Sequence, residues 1–502
     1  MKEILEGVAF WAFLAVSLFL IRPKSALHRI SVGSLTRKHH ALLIGILLVL
    51  IVLSVFVMTL SPVWNGEIIL HNGQYEMMTE SILQGRLDLD VTADPRLYEM
   101  ENPYDAALRD GMDIKYPLDH AFYQGRFYMY FGIVPVFLAF LPYRLLTGQP
   151  LLSVHATQFF TAAFLIGLLA CFRSLAKKYF PQMTLGMLIA LLVLFSLLSV
   201  LFPAKFPTLY ETPVACGMML EIWSIFCFSR AFREKKPNRA VLGWALGGSL
   251  LGALTFGCRP PLALANAVVL PMAFRFLKRE KITRGRIGLL LAAALPYALV
   301  AAGLMAYNYA RFGSPFEFGQ AYQLTTADQS RYGHIQGFQD LVRILVQTWN
   351  ALFAVPALDP VFPFLPLGIG VFPCCPLLFF SLLALRGSVG RSLKREGLYG
   401  FLAFLIASVF LTNFFQVLWS PVILERYKGD VLYLLSMGSF LGIGVWYAQR
   451  PSPRRSWKIC LAAFGCLLMV LLLFIVPEDF SYTDFYTGAP ARIWSRITFH
   501  IP

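Results

Sequence analysis

Residues 41–60, ALLIGILLVLIVLSVFVMTL, decide the fold of this chain: twenty consecutive residues without a charge. Wound as an α-helix they extend about 30 Å, one hydrocarbon thickness of a bilayer. Runs of the same kind recur at 5–21, 151–172, 184–202, 213–230, 240–257, 261–277, 287–308, 363–385, 397–418, 431–448 and 458–476. A chain that is 57% hydrophobic and 14% charged has too little polar surface to enclose all of these in water. Backbone amides in lipid must be bonded within their own segment, so the runs are read as helices, and the alternating pattern of an outer-membrane barrel is absent. The expectation is an all-α polytopic membrane protein with about 12 transmembrane helices.

Charge orients it. The segments 22–40, 173–183, 230–239, 275–286, 386–396 and 450–458 hold 27 of the 43 Lys and Arg but 3 of the 28 acids. Every second loop is therefore basic, the pattern of cytoplasmic loops, and the net charge of +15 is assigned to topology and anionic lipid rather than to nucleic acid. The opposite loops, 61–150, 203–212, 309–350, 419–430 and the tail from 477, then face outward. This parity makes 131–147, GIVPVFLAFLPYRLLTG, an interfacial or re-entrant helix on the outer side rather than a span. The first hydrophobic run precedes the basic RPKSALHR of 22–29, which reads as an uncleaved helix entering from outside rather than a signal peptide. The organisation expected is two helices over 1–60, an extracytoplasmic loop with a juxtamembrane helix over 61–150, a helical domain over 151–476 and an outer tail over 477–502.

The first outer loop is where acid gathers, with 12 acidic residues against 5 Lys or Arg over 61–130. Four further clusters stand at outer ends of spans: Lys205, Tyr210 and Glu211; Arg259; Arg311 and Glu317; and Glu425, Arg426 and Asp430. Charges next to lipid are costly unless paired, hydrated or used, and no single member of these clusters is distinguishable from a helix-end anchor. Together they suit a lipid-phosphate-linked substrate: an arginine fork matches phosphate oxygens, a carboxylate accepts the proton of an attacking hydroxyl, and aromatic rings cover sugar faces. The Asp88-x-Asp90 pair leaves a divalent metal open, although hard-cation sites need several converging oxygens. His39 and His40 sit beside Arg37 and Lys38 as a solvated cationic cluster, and the eight cysteines have neither zinc nor disulfide-framework spacing. No phosphate-binding glycine loop, zinc-protease or nucleophile-elbow motif is present, so ATP-driven transport and hydrolysis gain no support.

Three strings carry a family likeness. The segment His71–Tyr75, HNGQY, opens the loop; the run from Asp119 to Gly132, DHAFYQGRFYMYFG, closes it; and Arg311 to Gly319, RFGSPFEFG, lies beyond. Over roughly residues 60 to 440 the chain resembles bacterial membrane glycosyltransferases of the C-type superfamily, relatives of the protein O-mannosyltransferases and aminoarabinose transferases. The resemblance implies a plasma-membrane enzyme that takes a sugar from a polyprenyl-phosphate donor on the outer face and passes it, with inversion, to a lipid, polysaccharide or protein acceptor. Taken with the clusters at the outer ends of the spans, it gives Asp119, His71 and Glu211 as candidate catalytic groups, and Gln74, Tyr75, Lys115, Arg126, Tyr128, Tyr130, Arg259, Arg311, Glu317 and Arg426 as candidate substrate contacts. One position departs from the pattern: the superfamily places an acid four residues before the tyrosine matched by Tyr75, and here it is His71. Either His71 serves as base, or Asp119 does, or transfer is lost. The alternatives are a non-enzymatic carrier or flippase of lipid-linked saccharides and a surface-polysaccharide polymerase or ligase. A carrier is expected to place ionisable residues near mid-membrane and to show repeat symmetry, whereas charge here reads as gathered at the outer ends, without a repeat.

Overall fold

The computed structural model describes residues 11–12, 14–59, 73–232, 238–278, 282–355, 357–358, 366–367, 369–420 and 425–473. Segment 61–72, with His71, and the tail from 477 lie outside the described residues. In chain order the principal elements are α1 Arg37–Thr59, α2 Gln74–Leu83, β1 His120–Tyr123, β2 Arg126–Tyr128, α3 Leu141–Thr147 and α4 Ser153–Tyr179. There follow α5 Leu185–Ser199, α6 Thr212–Ala231, α7 Arg239–Phe256, α8 Val269–Lys278, α9 Arg284–Phe312 and β3 Gln323–Leu324. The last are α10 Phe338–Phe353, α11 Tyr399–Trp419, α12 Gly429–Gln449 and α13 Pro453–Leu473.

Eight helices among the described residues are long and apolar enough to cross a membrane: α1, α4, α6, α7, Pro260–Lys278, α9, α11 and Arg426–Gln449. Polar caps start several of the helices. Thr184 accepts from Met187 N at 3.2 Å and Asn238 from Val241 N at 2.9 Å, each satisfying one of the amides that a first turn leaves open. At the head of α1, Thr36 N–H donates to His39 Nδ1 at 3.1 Å, so His39 is a capping side chain. α12 is the central pillar, with 89% of its apolar window buried, whereas α9 has 11% buried and presents Leu291, Leu295 and Leu299 outward. An apolar face of that extent on a water-soluble protein would aggregate; against acyl chains it is in its own solvent.

Three expectations from the sequence change. The run 363–385 is not one span: the described part breaks into Val371–Cys374, Pro376–Leu378 and Phe379–Leu383, because Pro373 and Pro376 each remove an amide donor and Pro376 also bars its predecessor from helical geometry. The run 184–202 forms a helix of 15 residues, short for a span, before a second short helix at Leu201–Lys205. Third, charge is not confined to the outer ends, since Glu221 lies at the middle of α6 and is fully buried. Residues Val136–Thr147 form a helical stretch that opens with a π turn and is shorter than any spanning helix, consistent in length with the interfacial reading of 131–147.

The first loop is not only helical. β1 and β2 form a hairpin with Ala121 opposite Tyr128, Phe122 opposite Phe127 and Tyr123 opposite Arg126. Its two-residue turn, Gln124-Gly125, has φ of 48° and 78°, the left-handed pair that matches strand twist. β3 pairs antiparallel with the other edge of β1, His120 opposite Leu324 and Ala121 opposite Gln323, so the loop after α9 is stitched into the first loop. The sheet then docks on the helical domain at Gly132, where a Cβ would stand 2.2 Å from the Cys258 carbonyl oxygen and only glycine fits. The carbonyl of Gly257 receives Val134 N–H at 3.0 Å at the same contact.

Candidate functional site

Asp119 stands at the entry to β1 in left-handed geometry, φ 60°, with its amide donating to Leu324 carbonyl at 2.8 Å. Aspartate tolerates this region better than most residues, and sheet pairing on both sides of the turn holds it there. Its carboxylate is gripped from two distant parts of the chain: Tyr210 Oη donates to Oδ2 at 2.5 Å and Gln323 Nε2 to Oδ1 at 3.1 Å. Gln74, fully buried at the head of α2, fixes the backbone beneath. Its Nε2 donates to the Asp119 carbonyl at 2.8 Å and its Oε1 accepts from Tyr130 N at 3.0 Å.

Cations border the tyrosines of this pocket. The Arg426 guanidinium sits 4.4 Å over the Tyr210 ring, and Arg259 sits 5.1 Å over that of Tyr427. Arg259 Nε also donates to Asp430 Oδ2 at 2.7 Å, where Gln416 Nε2 donates as well at 2.5 Å. Burial and the adjoining Asp119 charge push the Tyr210 phenol far above its ordinary value, so it remains a donor at any physiological pH. The Tyr130 phenol is raised too, chiefly by burial, with Asp119, Tyr427 and Arg259 in its surroundings. Next to Asp119, His120 is buried and held below its ordinary value, burial outweighing the Leu118 carbonyl and the Asp119 charge. Its Nδ1 lies 3.0 Å from the Leu118 carbonyl and 3.3 Å from Gln74 Nε2, which ties the ring to the residue that also holds the Asp119 backbone.

Of the residues singled out in the sequence, the structure thus brings Asp119, Gln74, Tyr130, Arg259 and Arg426 together. The others it distributes. Tyr75 is in a buried apolar core, stacked 5.0 Å from Phe140, and Tyr128 is packed edge-on against Phe312 at 5.4 Å. Arg311 is buried, donating to the Met129 carbonyl and to Asn308 Oδ1, both at 2.8 Å, with its plane 3.8 Å from Tyr307: it positions the end of β2. Glu317 accepts from Gly319 N at 2.6 Å within its own turn. Glu211 is buried at the start of α6, accepting from Thr208 Oγ1 at 2.5 Å, where a carboxylate complements the helix dipole. Lys115 is exposed on the approach to β1, and Arg126 is exposed at the hairpin tip, about 15 Å along the strand from Asp119.

The Asp-x-Asp pair also finds a structural explanation. Leu89 is buried and its amide donates to the Phe127 carbonyl at 2.7 Å, so an extended backbone turns Asp88 and Asp90 the other way, toward Arg86 and Arg126 at 3.8–4.0 Å. Among the described residues no three His, Cys, Asp or Glu side chains are grouped as a metal site.

Sequence reasoning did not find Gln323, Gln416 or the contact of Cys216 Sγ with Cys258 Sγ at 3.4 Å. An amide in a polar loop has no signature until its partner is known, and cysteines 42 residues apart match no spacing rule. Compared with known proteins, the chain matches no family model, no curated protein and no solved structure.

Proposed function

We propose that this protein is an integral membrane glycosyltransferase of the C-type kind. It would use a polyprenyl-phosphate-linked sugar in a bacterial plasma membrane, with the first loop outside and about 12 helices in all. The observation that carries the reading is the placement of the Asp119 carboxylate, braced by Tyr210 and Gln323, in one pocket with Arg426 and the Arg259–Asp430 pair at the ends of spanning helices. In the reaction the acceptor hydroxyl gives its proton to Asp119 as its oxygen bonds to the anomeric carbon. The bond from that carbon to the phosphate oxygen breaks, and the departing lipid phosphate gains charge beside the arginines. Tyr210, bonded to the carboxylate, aims it; membrane lipids and the envelope acceptor are the other partners, and no cofactor is called for by these residues. Mass spectrometry of polyprenyl-phosphate sugars and envelope glycans, with and without the gene, tests this. Accumulation of one lipid-linked sugar with loss of the matching glycan is expected, and unchanged profiles of both would refute it.

A second reading, a carrier of lipid-linked saccharides, is favoured by one observation. Glu221 lies at mid-helix in α6, the position a transporter uses and a surface transferase does not need. Purified protein in liposomes separates the two: a carrier moves the labelled lipid between leaflets without cleaving its phosphate–sugar bond.

A further inference from the structure

Glu221 is the tenth residue of the twenty in α6 and has no exposed surface. Neither carboxyl oxygen meets hydrogen-bond geometry with a described residue, although the Thr255 hydroxyl is close enough to interact with it. The polar groups of the same belt are committed elsewhere. Thr255, beside the carboxyl, gives its hydroxyl proton to the Leu251 carbonyl at 3.1 Å, and Ser224, one turn on, gives its own to the Gly248 carbonyl at 2.7 Å. Asn266 donates to the Gly252 carbonyl at 3.0 Å and accepts from Tyr297 Oη at 2.7 Å.

An ionised carboxyl without partners in an apolar span costs several kcal/mol, the neutral acid much less, and an apolar residue of similar volume nothing. Packing therefore gives no reason for a glutamate here. A second observation points outward from it. On α12, Asp430, Tyr433 and Ser436 recur at three-residue spacing on one face, and Asp430 Oδ1, Tyr433 Oη and Ser436 Oγ are buried without a protein partner. Tyr433 is within electrostatic reach of both Glu221 and Asp430, and Asp430 is already part of the outer pocket through Arg259. Buried polar atoms left open in a row are the sites that ordered water fills.

We propose that Glu221 is a proton-binding site in the middle of the membrane domain, exchanging its proton with the outer pocket along the Asp430–Tyr433 face of α12. Tyr433 from α12 and Tyr297 from α9 are the ionisable groups within electrostatic reach of it, the Tyr297 hydroxyl itself donating to Asn266. From α4 the Cys171 thiol is directed at the Ile222 carbonyl, and α7 carries Thr255. The Arg259–Asp430 pair lies beyond Tyr433. This site is independent of the chemistry proposed for Asp119 and would serve a transferase or a carrier alike.

The test uses the full-length protein in liposomes, with N,N′-dicyclohexylcarbodiimide as the probe. The reagent adds across a protonated carboxyl to give a stable N-acylurea, the acid proton going to its nitrogen. Peptide mass analysis should place the adduct on Glu221 at neutral pH, with modification falling at least tenfold as pH is raised and vanishing in Glu221→Gln. In infrared spectra the matching carboxylic C=O band should shift on transfer to deuterium oxide, and Tyr433→Phe should slow that exchange at least tenfold. Glu221→Leu, expected to unfold at or above the wild-type temperature, distinguishes a ligand site from a prop. Absence of both adduct and band would overturn the proposal, as would exchange unaffected by Tyr433→Phe. Protection by sodium at constant pH would also overturn it, by assigning the site to a metal cation.

Discussion

Asp119→Asn is the sharpest test of the outer pocket, because the structure lets the substitution be nearly silent in the fold and severe in the chemistry. Asn is as well suited as Asp to the left-handed geometry at φ 60°, and its backbone keeps the bond to Leu324. Its side-chain oxygen still accepts from Tyr210, so one charge-assisted bond becomes a neutral one and the other is lost or reversed toward Gln323, a change of roughly 1–2 kcal/mol. What disappears is the proton acceptor. General-base catalysis contributes about 10²–10⁴, or roughly 3–5.5 kcal/mol of barrier, so transfer should fall by that factor while donor binding persists. Two assays on one preparation decide the matter: thermal unfolding in detergent, and transfer of a radiolabelled sugar from a polyprenyl-phosphate donor. Asp119→Ala, which loses both bonds and strains the turn, should depress both readouts. Full transfer by Asp119→Asn would refute the assignment of Asp119 as base and return attention to His71, for which His71→Asp is the companion variant.

Other outcomes follow from the same geometry. Arg426→Ala should weaken donor binding about 10- to 150-fold, the loss of one charge-assisted contact, with Arg426→Lys recovering part of it; Arg311→Ala should instead lower the unfolding temperature, since its bonds hold Met129 and Asn308. Buried His120, with its folded value below the ordinary 6.5, binds protons less readily than in the unfolded chain. Stability should therefore be full above pH 6.5 and decline as pH falls below it, a decline that His120→Phe should reduce in acid unfolding curves. Oxidation with a copper–phenanthroline reagent should join Cys216 to Cys258 in unfolded-and-digested protein, and Cys216→Ser should abolish the linked peptide; absence of the link under strong oxidation would show that the 3.4 Å approach is not maintained. Cysteines introduced at Asp105, Gln336 and Ser481 should label from outside and those at Ser31, Asn238 and Ser452 should not; external labelling at Asn238 would reverse the outward placement of the loop before α6 and make 131–147 a span.

The helices were legible because a run such as 41–60 needs nothing beyond its own composition to be recognised. Where the local signal is mixed, reading fails in identifiable ways. VFPCCPLLFF keeps the hydrophobicity of a span while its prolines forbid one. Glu221 hides in VACGMMLEIWSIF because one acid among mostly apolar neighbours barely alters their sum. The hairpin turn Gln-Gly was visible in principle, but a two-residue strand such as Gln323-Leu324 offers no alternation to detect, and its pairing with β1 is a tertiary fact. The same holds for the pocket. Asp119 stood out by its motif and the arginines by their position, whereas the roles of Tyr210, Gln323 and Gln416 exist only through contacts across the fold. Arg259, Arg311 and Arg426 looked equivalent in sequence, and burial and partners now separate a positioning residue from two that border the pocket.

The stitching of β3 onto β1 has a consequence for how the protein is made. Gln323 and Asp119 are separated by 204 residues, and five of the spanning helices, α4, α6, α7, Pro260–Lys278 and α9, lie wholly between them. At about 5–20 residues per second, a ribosome needs roughly 10–40 s to extend the chain from one to the other. Throughout that interval the hairpin has an open edge and the Asp119 carboxylate lacks one of its two braces. Asp119 is therefore fully braced only after α9 has been made, so a chain stalled or truncated before Gln323 would carry its first loop with the sheet edge open and that carboxylate held from one side alone.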